Sequence, residues 1–73
     1  MNRAKIQTSG DLGKAIRTRR REAKLSIATL SAMLGCSPRF LSEVERGKET
    51  ASMGRVIEIA RALGLELHIA TKS

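Results

Sequence analysis

Apolar positions along this 73-residue chain recur mostly at helical spacing, three or four residues apart. The pattern predicts four amphipathic helices, over residues 12–24, 27–34, 38–46 and 53–63, each with one buried stripe. The side chains expected to face the interior are those of Leu12, Ala15, Ile16, Ala23, Leu30, Ser31, Leu34, Leu41, Val44, Met53, Val56, Ile57, Ile59, Ala60 and Leu63. We therefore expect a small, mainly α domain.

Residues suited to begin or end a helix stand at the predicted boundaries. Serine hydroxyls accept hydrogen bonds from the first free amides of a helix, and glycine adopts the positive φ at which helices often end. The predicted N-caps are Ser9, Ser26, Ser37 and Ser52, and the predicted ends are Gly35, Gly47 and Gly64. Pro38 strengthens the third helix start, because proline fits the first helical position.

The segment after Gly64 has a different period. Its alternating sets are Leu65, Leu67, Ile69 and Thr71 on one side, and Glu66, His68 and Ala70 on the other. A period of two is typical of a strand, and an isolated strand leaves its backbone groups unpaired. We expect Leu65, Leu67 and Ile69 to lie in a strand that pairs with a second copy across a twofold axis. Pairing with residues 4–8 is a competing and compatible possibility.

Composition limits the chain to one domain without catalytic machinery. Only 41% of the residues are hydrophobic and 1% aromatic, so one small aliphatic core is expected. Cys36 and His68 are the only residues of their types, and neither a metal site nor an internal disulfide is predicted. Phosphate loops, paired catalytic carboxylates and activated nucleophiles are missing from the sequence. We expect no enzyme, no cofactor, no membrane span and a cytoplasmic location.

The charge of the chain suggests that the helical domain binds a polyanion. The net charge is +7, and residues 1–24 carry +6 of it, with eight basic side chains against Asp11 and Glu22. Nucleic acid is the commonest polyanion available to such a domain. A solvated basic face is the alternative that charge alone leaves open.

Several short motifs stand in register through the helical region. They are Leu25–Ser26, Leu30, Gly35, Ser37, Leu41–Ser42, Glu45–Arg46–Gly47 and Ala60–Arg61–Ala62–Leu63–Gly64. Together they resemble the Cro/Xre-type helix-turn-helix family over residues 12–64. The resemblance implies a four-helix, lambda-repressor-like DNA-binding domain, with residues 1–11 as an arm and 65–73 as a dimerisation strand. In such a motif the second helix crosses the DNA backbone and the third lies in the major groove.

Two residues, Ile27 and Ser31, differ from those usual in the family, whereas the Arg20–Glu45 pair matches the family. Ile27 replaces a glutamine that commonly reaches a phosphate, and Ser31 replaces a small alanine, with its hydroxyl expected to bond a nearby carbonyl. Arg20 lies on the inward stripe of the first helix, where an unpaired charge is expensive. By resemblance, Arg20 and Glu45 are expected to form a structural ion pair between the first and third helices.

The third helix carries the candidate DNA contacts. Arg39 matches the two acceptors of guanine, Glu43 can accept from cytosine, and Phe40 can meet a thymine methyl or instead fill the core edge. Glu43 is equally explained as an exposed side chain without a base partner. The expected base-reading set is Ser37, Arg39, Phe40 and Glu43, and the expected phosphate contacts are Arg17, Ser42, Arg46 and Lys48.

A strand directly after the helix-turn-helix unit narrows the resemblance to HipB-like antitoxins. That group implies a bacterial, nucleoid-associated homodimer that represses its own operon at an inverted repeat in double-stranded DNA. It also implies a HipA-like kinase toxin as partner. A phage-like Cro/Xre repressor without a toxin, and a protein-interaction module that does not read DNA, are the alternatives.

Overall fold

Four helices form the structure, a computed structural model that describes residues 5–72. They are α1 (Ser9–Glu22), α2 (Ile27–Leu34), α3 (Pro38–Glu45) and α4 (Met53–Ala62). α3 packs against both α1 and α2. This arrangement confirms the predicted four-helix architecture and supports α3 from two sides.

The core is aliphatic, as the composition predicts. Its buried apolar side chains are those of Ile16, Leu30, Leu41, Val44, Val56, Ile59, Ala60 and Leu63. Ile16 of α1 and Leu41 of α3 are completely inaccessible to solvent. Each of the four helices contributes to the core, so burial of apolar area, the main favourable term in folding, ties all of them together.

Three side chains expected inside lie outside. Ala23 is exposed at the end of α1, because the helix stops at Glu22 and Ala23 is its C-cap residue. Met53 and Ile57 are 75% and 37% exposed, one turn apart on the outer side of α4. The apolar stripe of α4 is therefore wider than the surface that the other helices cover.

The first helix begins earlier than expected, and with a different cap. Thr8 takes the N-cap position, and its hydroxyl accepts from the Asp11 amide at 3.0 Å. The Asp11 carboxylate accepts from the Gln7 amide at 2.9 Å, which fixes the chain entering α1. Ser9, the predicted cap, instead donates its hydroxyl hydrogen bond to the Gly47 carbonyl at 2.9 Å. Ser9 thus joins the start of α1 to the end of α3.

The other predicted caps lie where the sequence places them. The hydroxyls of Ser26 and Ser37 accept from the Thr29 and Phe40 amides, each at 3.0 Å. Ser52 occupies the N-cap position of α4, although its side chain makes no capping hydrogen bond. The predicted glycine ends have positive φ, with values of 71° at Gly35, 88° at Gly47 and 77° at Gly64.

A non-glycine residue ends α1 in the same left-handed conformation. Lys24 has a φ of 58°, its amide donates to the Arg21 carbonyl, and the Leu25 amide donates to the Arg20 carbonyl. These bonds match the Schellman pattern that closes helices at glycine. The turn is therefore fixed by hydrogen bonds at a position where a side chain adds conformational strain.

Gly13 lets α1 and α3 approach each other at backbone distance. It is buried in the middle of α1, and a Cβ atom there would collide with the carbonyl oxygen of Val44 and lie 2.6 Å from that of Glu45. No real Cβ atom tolerates such contacts. Only glycine allows this helix crossing, and apolar periodicity did not identify the position.

The C-terminal segment does not form a strand in the single chain. Within residues 5–72 all regular structure is helical, so the competing pairing of this segment with residues 5–8 is wrong for the single chain, and Ala4 lies outside the described residues. Leu65 packs against the core, whereas Leu67 is 47% exposed and Ile69 fully exposed. A strand needs a partner for its backbone groups, and the described part of the chain supplies none here.

No helix in the described part of the chain is both long enough and apolar enough to cross a membrane.

Replacing Gly13 with alanine is expected to lower the free energy of unfolding by about 3 kcal/mol, because the added methyl forces α1 away from α3. Urea denaturation followed by circular dichroism measures the loss. Gly10→Ala in the same helix is the matched control, since its Cβ would meet only the Thr8 hydroxyl at 3.5 Å. Equal destabilisation by both substitutions would contradict the close approach at Gly13.

Candidate nucleic-acid interface

A tight turn sets the angle between α2 and α3. Gly35 leaves α2 in the left-handed conformation, and the Cys36 amide donates to the Ser31 carbonyl at 3.0 Å. Ser31 is 1% exposed and donates its hydroxyl hydrogen bond to the Ala28 carbonyl at 3.0 Å, as expected. Its small side chain allows the two helices to pack closely. Ile27, the departure from the family pattern, is partly buried against the core.

The outward face of α3 presents a row of polar and charged side chains. Ser37 caps the helix, and the Arg39 side chain two positions later is 88% exposed. The Arg39 Nε atom lies 3.7 Å from one oxygen of Glu43, while the other oxygen of Glu43 lies 3.2 Å from the Lys48 Nζ atom. Glu43 therefore lies between two cations, and its contact with Arg39 spans one turn of the helix.

Phe40 differs from the other candidate base-reading residues. Its side chain is partly buried and packs against the core, which is the alternative that the sequence left open for it. The Cζ atom of Arg55, from α4, lies over the ring at 5.0 Å from the centroid. The structure therefore gives Phe40 a packing role, and a contact with a thymine methyl stays a prediction.

The residues predicted to contact phosphate lie in two places. Ser42, Arg46 and Lys48 follow one another through the second half of α3 and the turn after it, and the two basic residues are exposed. Arg17 is also exposed, but it belongs to α1. The structure therefore groups three of the four candidates beside the outward face of α3.

A buried ion pair fixes α3 against α1. The Arg20 Nε atom donates to one oxygen of Glu45 at 2.6 Å, and Nη2 donates to the other at 3.0 Å. Nη1 donates to the Leu25 carbonyl at 2.8 Å, in the turn between α1 and α2. The side chains are only 10% and 6% exposed. One guanidinium thus links α1, the following turn and α3.

The contacts of Arg20 with Glu45 also favour its protonated, charged form. The hydrogen bond to Glu45 raises the pKa of Arg20 above its ordinary value, burial works in the opposite direction, and the Glu45 charge raises the pKa further. A raised pKa means that Arg20 itself is charged at every pH below the ordinary arginine pKa, so its own contribution to stability is lost only as the pH rises through the raised pKa. The charge on Arg20 is therefore constant over the neutral range.

Sequence and structure together define the class of protein. Residues 16–69 match the helix-turn-helix family, and they include α2, the glycine turn and α3. The chain belongs to the Cro/Xre-type helix-turn-helix family of DNA-binding transcriptional regulators, which is not an enzyme class.

Individual relatives carry the same description. The chain is 34% identical over 65 residues to the uncharacterised HTH-type transcriptional regulator y4mF of Sinorhizobium fredii, spanning 89% of this chain and 86% of the relative. It is 37% identical over 57 residues to y4dL, another uncharacterised HTH-type transcriptional regulator of that organism, spanning 78% of this chain and 29% of the relative.

Solved structures show the same fold. A serine-to-alanine variant of HipB, in its complex with an O2 20mer, matches with a TM-score of 0.87 at 18% identity, over 99% of this chain and 100% of that chain. A chain of the HipA-HipB-O2-O3 complex matches with a TM-score of 0.83 at 17% identity, over 94% and 97%.

Two features of this surface escaped the sequence analysis. Gly13 allows α3 to pack closely against α1. Its signal in the sequence is a glycine in the interior of an otherwise helical pattern. Arg55 carries a weaker signal, a basic side chain at the positive end of the α4 dipole, which Arg39 shares in the first turn of α3. Neither signal says which neighbour the residue meets in space.

The Glu45→Gln variant is expected to lose about 3 kcal/mol of unfolding free energy, because Arg20 stays charged and buried without its carboxylate. Thermal and urea denaturation at neutral pH measure the loss. Glu43→Gln makes the same chemical change two residues earlier, where the partners are exposed, and is expected to cost less than about 1 kcal/mol. Similar losses in the two variants would show that the pair at Arg20 has no special structural role.

Proposed function

We propose that the protein is a dimeric, sequence-specific repressor that binds an inverted repeat in double-stranded DNA through α3. The observation that carries the proposal is the geometry of Arg39, which is 88% exposed on a helix held in place by α1 and α2. In a helix-turn-helix protein the corresponding helix enters the major groove.

Arg39 has the chemistry for reading a base. A guanidinium donates two parallel hydrogen bonds to O6 and N7 of guanine, which is the commonest specific contact in the major groove. Its ion pair with Glu43 is long, at 3.7 Å, and exposed, so exchange for a base costs little. Ser37 and Glu43 are proposed as further base contacts, and Arg17, Ser42, Arg46 and Lys48 as phosphate contacts.

A dimer is proposed from the C-terminal segment. Leu67 and Ile69 expose apolar surface beyond the last helix, on a segment whose backbone pairs with no strand among residues 5–72. Pairing with the same segment of a second copy would satisfy the backbone groups and cover both side chains. Two reading helices related by a twofold axis then reach successive major grooves about 34 Å apart.

A role as an antitoxin deepens the proposal. The fold neighbours include a chain of a complex that contains HipA, HipB and two O elements, and the match spans almost the whole of this chain. By analogy the protein would restrain a HipA-like kinase and repress their shared operon. Co-purification with the product of a neighbouring gene distinguishes this role from that of a phage-like repressor without a toxin.

Selection of bound duplexes from a random pool is expected to yield an inverted repeat whose half-sites are one helical turn apart. On the selected duplex, Arg39→Ala is expected to cost about 1–3 kcal/mol of binding free energy and to relax preference at particular bases. Fluorescence anisotropy on selected and scrambled duplexes measures both effects.

The matched control is Arg46→Ala, which removes the same charge from the other end of α3. It is expected to weaken binding to selected and scrambled duplexes by the same factor, since a phosphate contact carries no sequence information. If Arg39→Ala also behaves in this way, Arg39 binds phosphate and does not read bases. If the unmodified protein shows no preference among duplexes, the proposed function fails.

The double variant with Leu67→Ser and Ile69→Ser is expected to weaken self-association at least about tenfold, because two apolar side chains lose their cover. Sedimentation equilibrium measures the association, and circular dichroism checks that the helices remain. Met33→Ser, at an exposed apolar residue of α2, is the control and is expected to leave association unchanged. Unaltered association of the double variant would rule out dimerisation through this segment.

A further inference from the structure

We propose that Arg55 binds a phosphate of the DNA backbone and that the ring of Phe40 holds its guanidinium in place beside α3. This inference rests on the proposed DNA-binding function and adds a contact from α4. Arg55 is exposed, and its Cζ atom lies 5.0 Å from the centroid of the Phe40 ring. The ring is itself fixed, because Phe40 packs against the core.

The cation–π contact leaves N–H donors of Arg55 available, because the Phe40 ring offers its face and no oxygen acceptor. A guanidinium carries five N–H donors. Those donors match the oxygens of a phosphate in a bidentate contact. The platform also reduces the conformational entropy that a free arginine would lose on binding.

Arg55 has no carboxylate partner among residues 5–72, a property that it shares with Arg17, Arg21, Arg46 and Arg61. Arg19, Arg20 and Arg39 each lie within 4.0 Å of a glutamate oxygen, and no such contact involves Arg55. Arg55 also stands in the first turn of α4, where a positive side chain opposes the helix dipole. Its position is therefore not explained by the stability of the helix.

The location of Phe40 identifies the ligand as backbone phosphate. Phe40 follows Arg39 directly in α3, so the guanidinium of Arg55 lies at the flank of the proposed reading helix. A helix with its side chains is about 10–12 Å across and nearly fills a major groove about 12 Å wide. A cation at the flank of such a helix meets the rim of the groove, where the phosphates are, and not the base edges.

The test is the salt dependence of DNA binding by the full chain, measured by fluorescence anisotropy on a duplex selected from a random pool and on a scrambled duplex. Arg55→Ala is expected to weaken binding to both duplexes about fivefold at moderate salt, the size of one exposed charge contact. The slope of log affinity against log salt is expected to fall by about 0.9 per protomer, because the variant neutralises one phosphate fewer.

Arg61→Ala is the matched control, because it removes the same charge from the last turn of α4, six residues and about 9 Å along the helix. It is expected to leave the slope unchanged. Phe40→Leu keeps an apolar side chain without the aromatic face, and in that background Arg55→Ala is expected to cost less than in the unmodified protein. Circular dichroism establishes that each variant is folded.

The outcomes separate this inference from the proposed function. A slope reduced by one counterion in Arg55→Ala alone supports the phosphate contact, whether or not the unmodified protein prefers the selected duplex. An unchanged slope in Arg55→Ala, or the same change in Arg61→Ala, overturns the contact even if sequence preference is intact. Equal effects of Arg55→Ala with and without the Phe40 ring overturn the role of the ring as a platform.

Discussion

The close packing of α3 against α1 is the constraint on which the rest of the structure depends. α3 has eight residues, and an isolated helix of that length is not stable in water. Its existence and direction therefore come from packing. Gly13 brings the two backbones together, the Arg20–Glu45 pair closes one end of the contact, and the hydrogen bond from Ser9 to Gly47 closes the other. A helix that reads bases, as we propose for α3, needs this rigidity, because errors of about an ångström change which base edges it reaches.

The packing of α3 on α1 also explains why two glutamates on one helix differ in burial and in their partners. Glu45 faces α1 and is almost fully buried with Arg20, whereas Glu43 faces solvent between Arg39 and Lys48. Two residues along a helix correspond to a rotation of about 200°, so residues two positions apart, such as Glu43 and Glu45, lie on nearly opposite sides. One side of α3 therefore holds the helix against α1, and the other carries the ion pairs that we propose are exchanged for contacts with DNA.

Much of the fold could be predicted from the sequence because its signals are local. Helix periodicity, the caps at Ser26 and Ser37, and the ends at Gly35, Gly47 and Gly64 depend on residues a few positions apart. The Gly13 contact and the stacking of Arg55 on Phe40 join residues far apart in the chain, and no local pattern encodes them. Thr8 was missed because Ser9, beside it, is an equally good cap by residue type, and the choice between them depends on Gly47. The strand prediction assumed a partner that lies outside a single chain.

The uneven charge of the chain acquires a physical meaning once the helices are placed. Residues 1–24 hold most of the net charge, yet Arg20 within them is paired and buried, so it contributes little to the field that DNA experiences. The exposed Arg17 and Arg21 belong to α1, while in α3 and the residue directly after it Arg39 and Arg46 are balanced by Glu43 and Glu45. Attraction to a polyanion increases with exposed net charge, whereas discrimination among bases requires donors and acceptors in fixed positions. In the proposed function, the exposed cations outside α3 would favour binding to any duplex. The segment made of α3 and Arg46, whose charges balance, would gain little from charge alone, so its contribution would depend on how well its side chains match a particular base sequence.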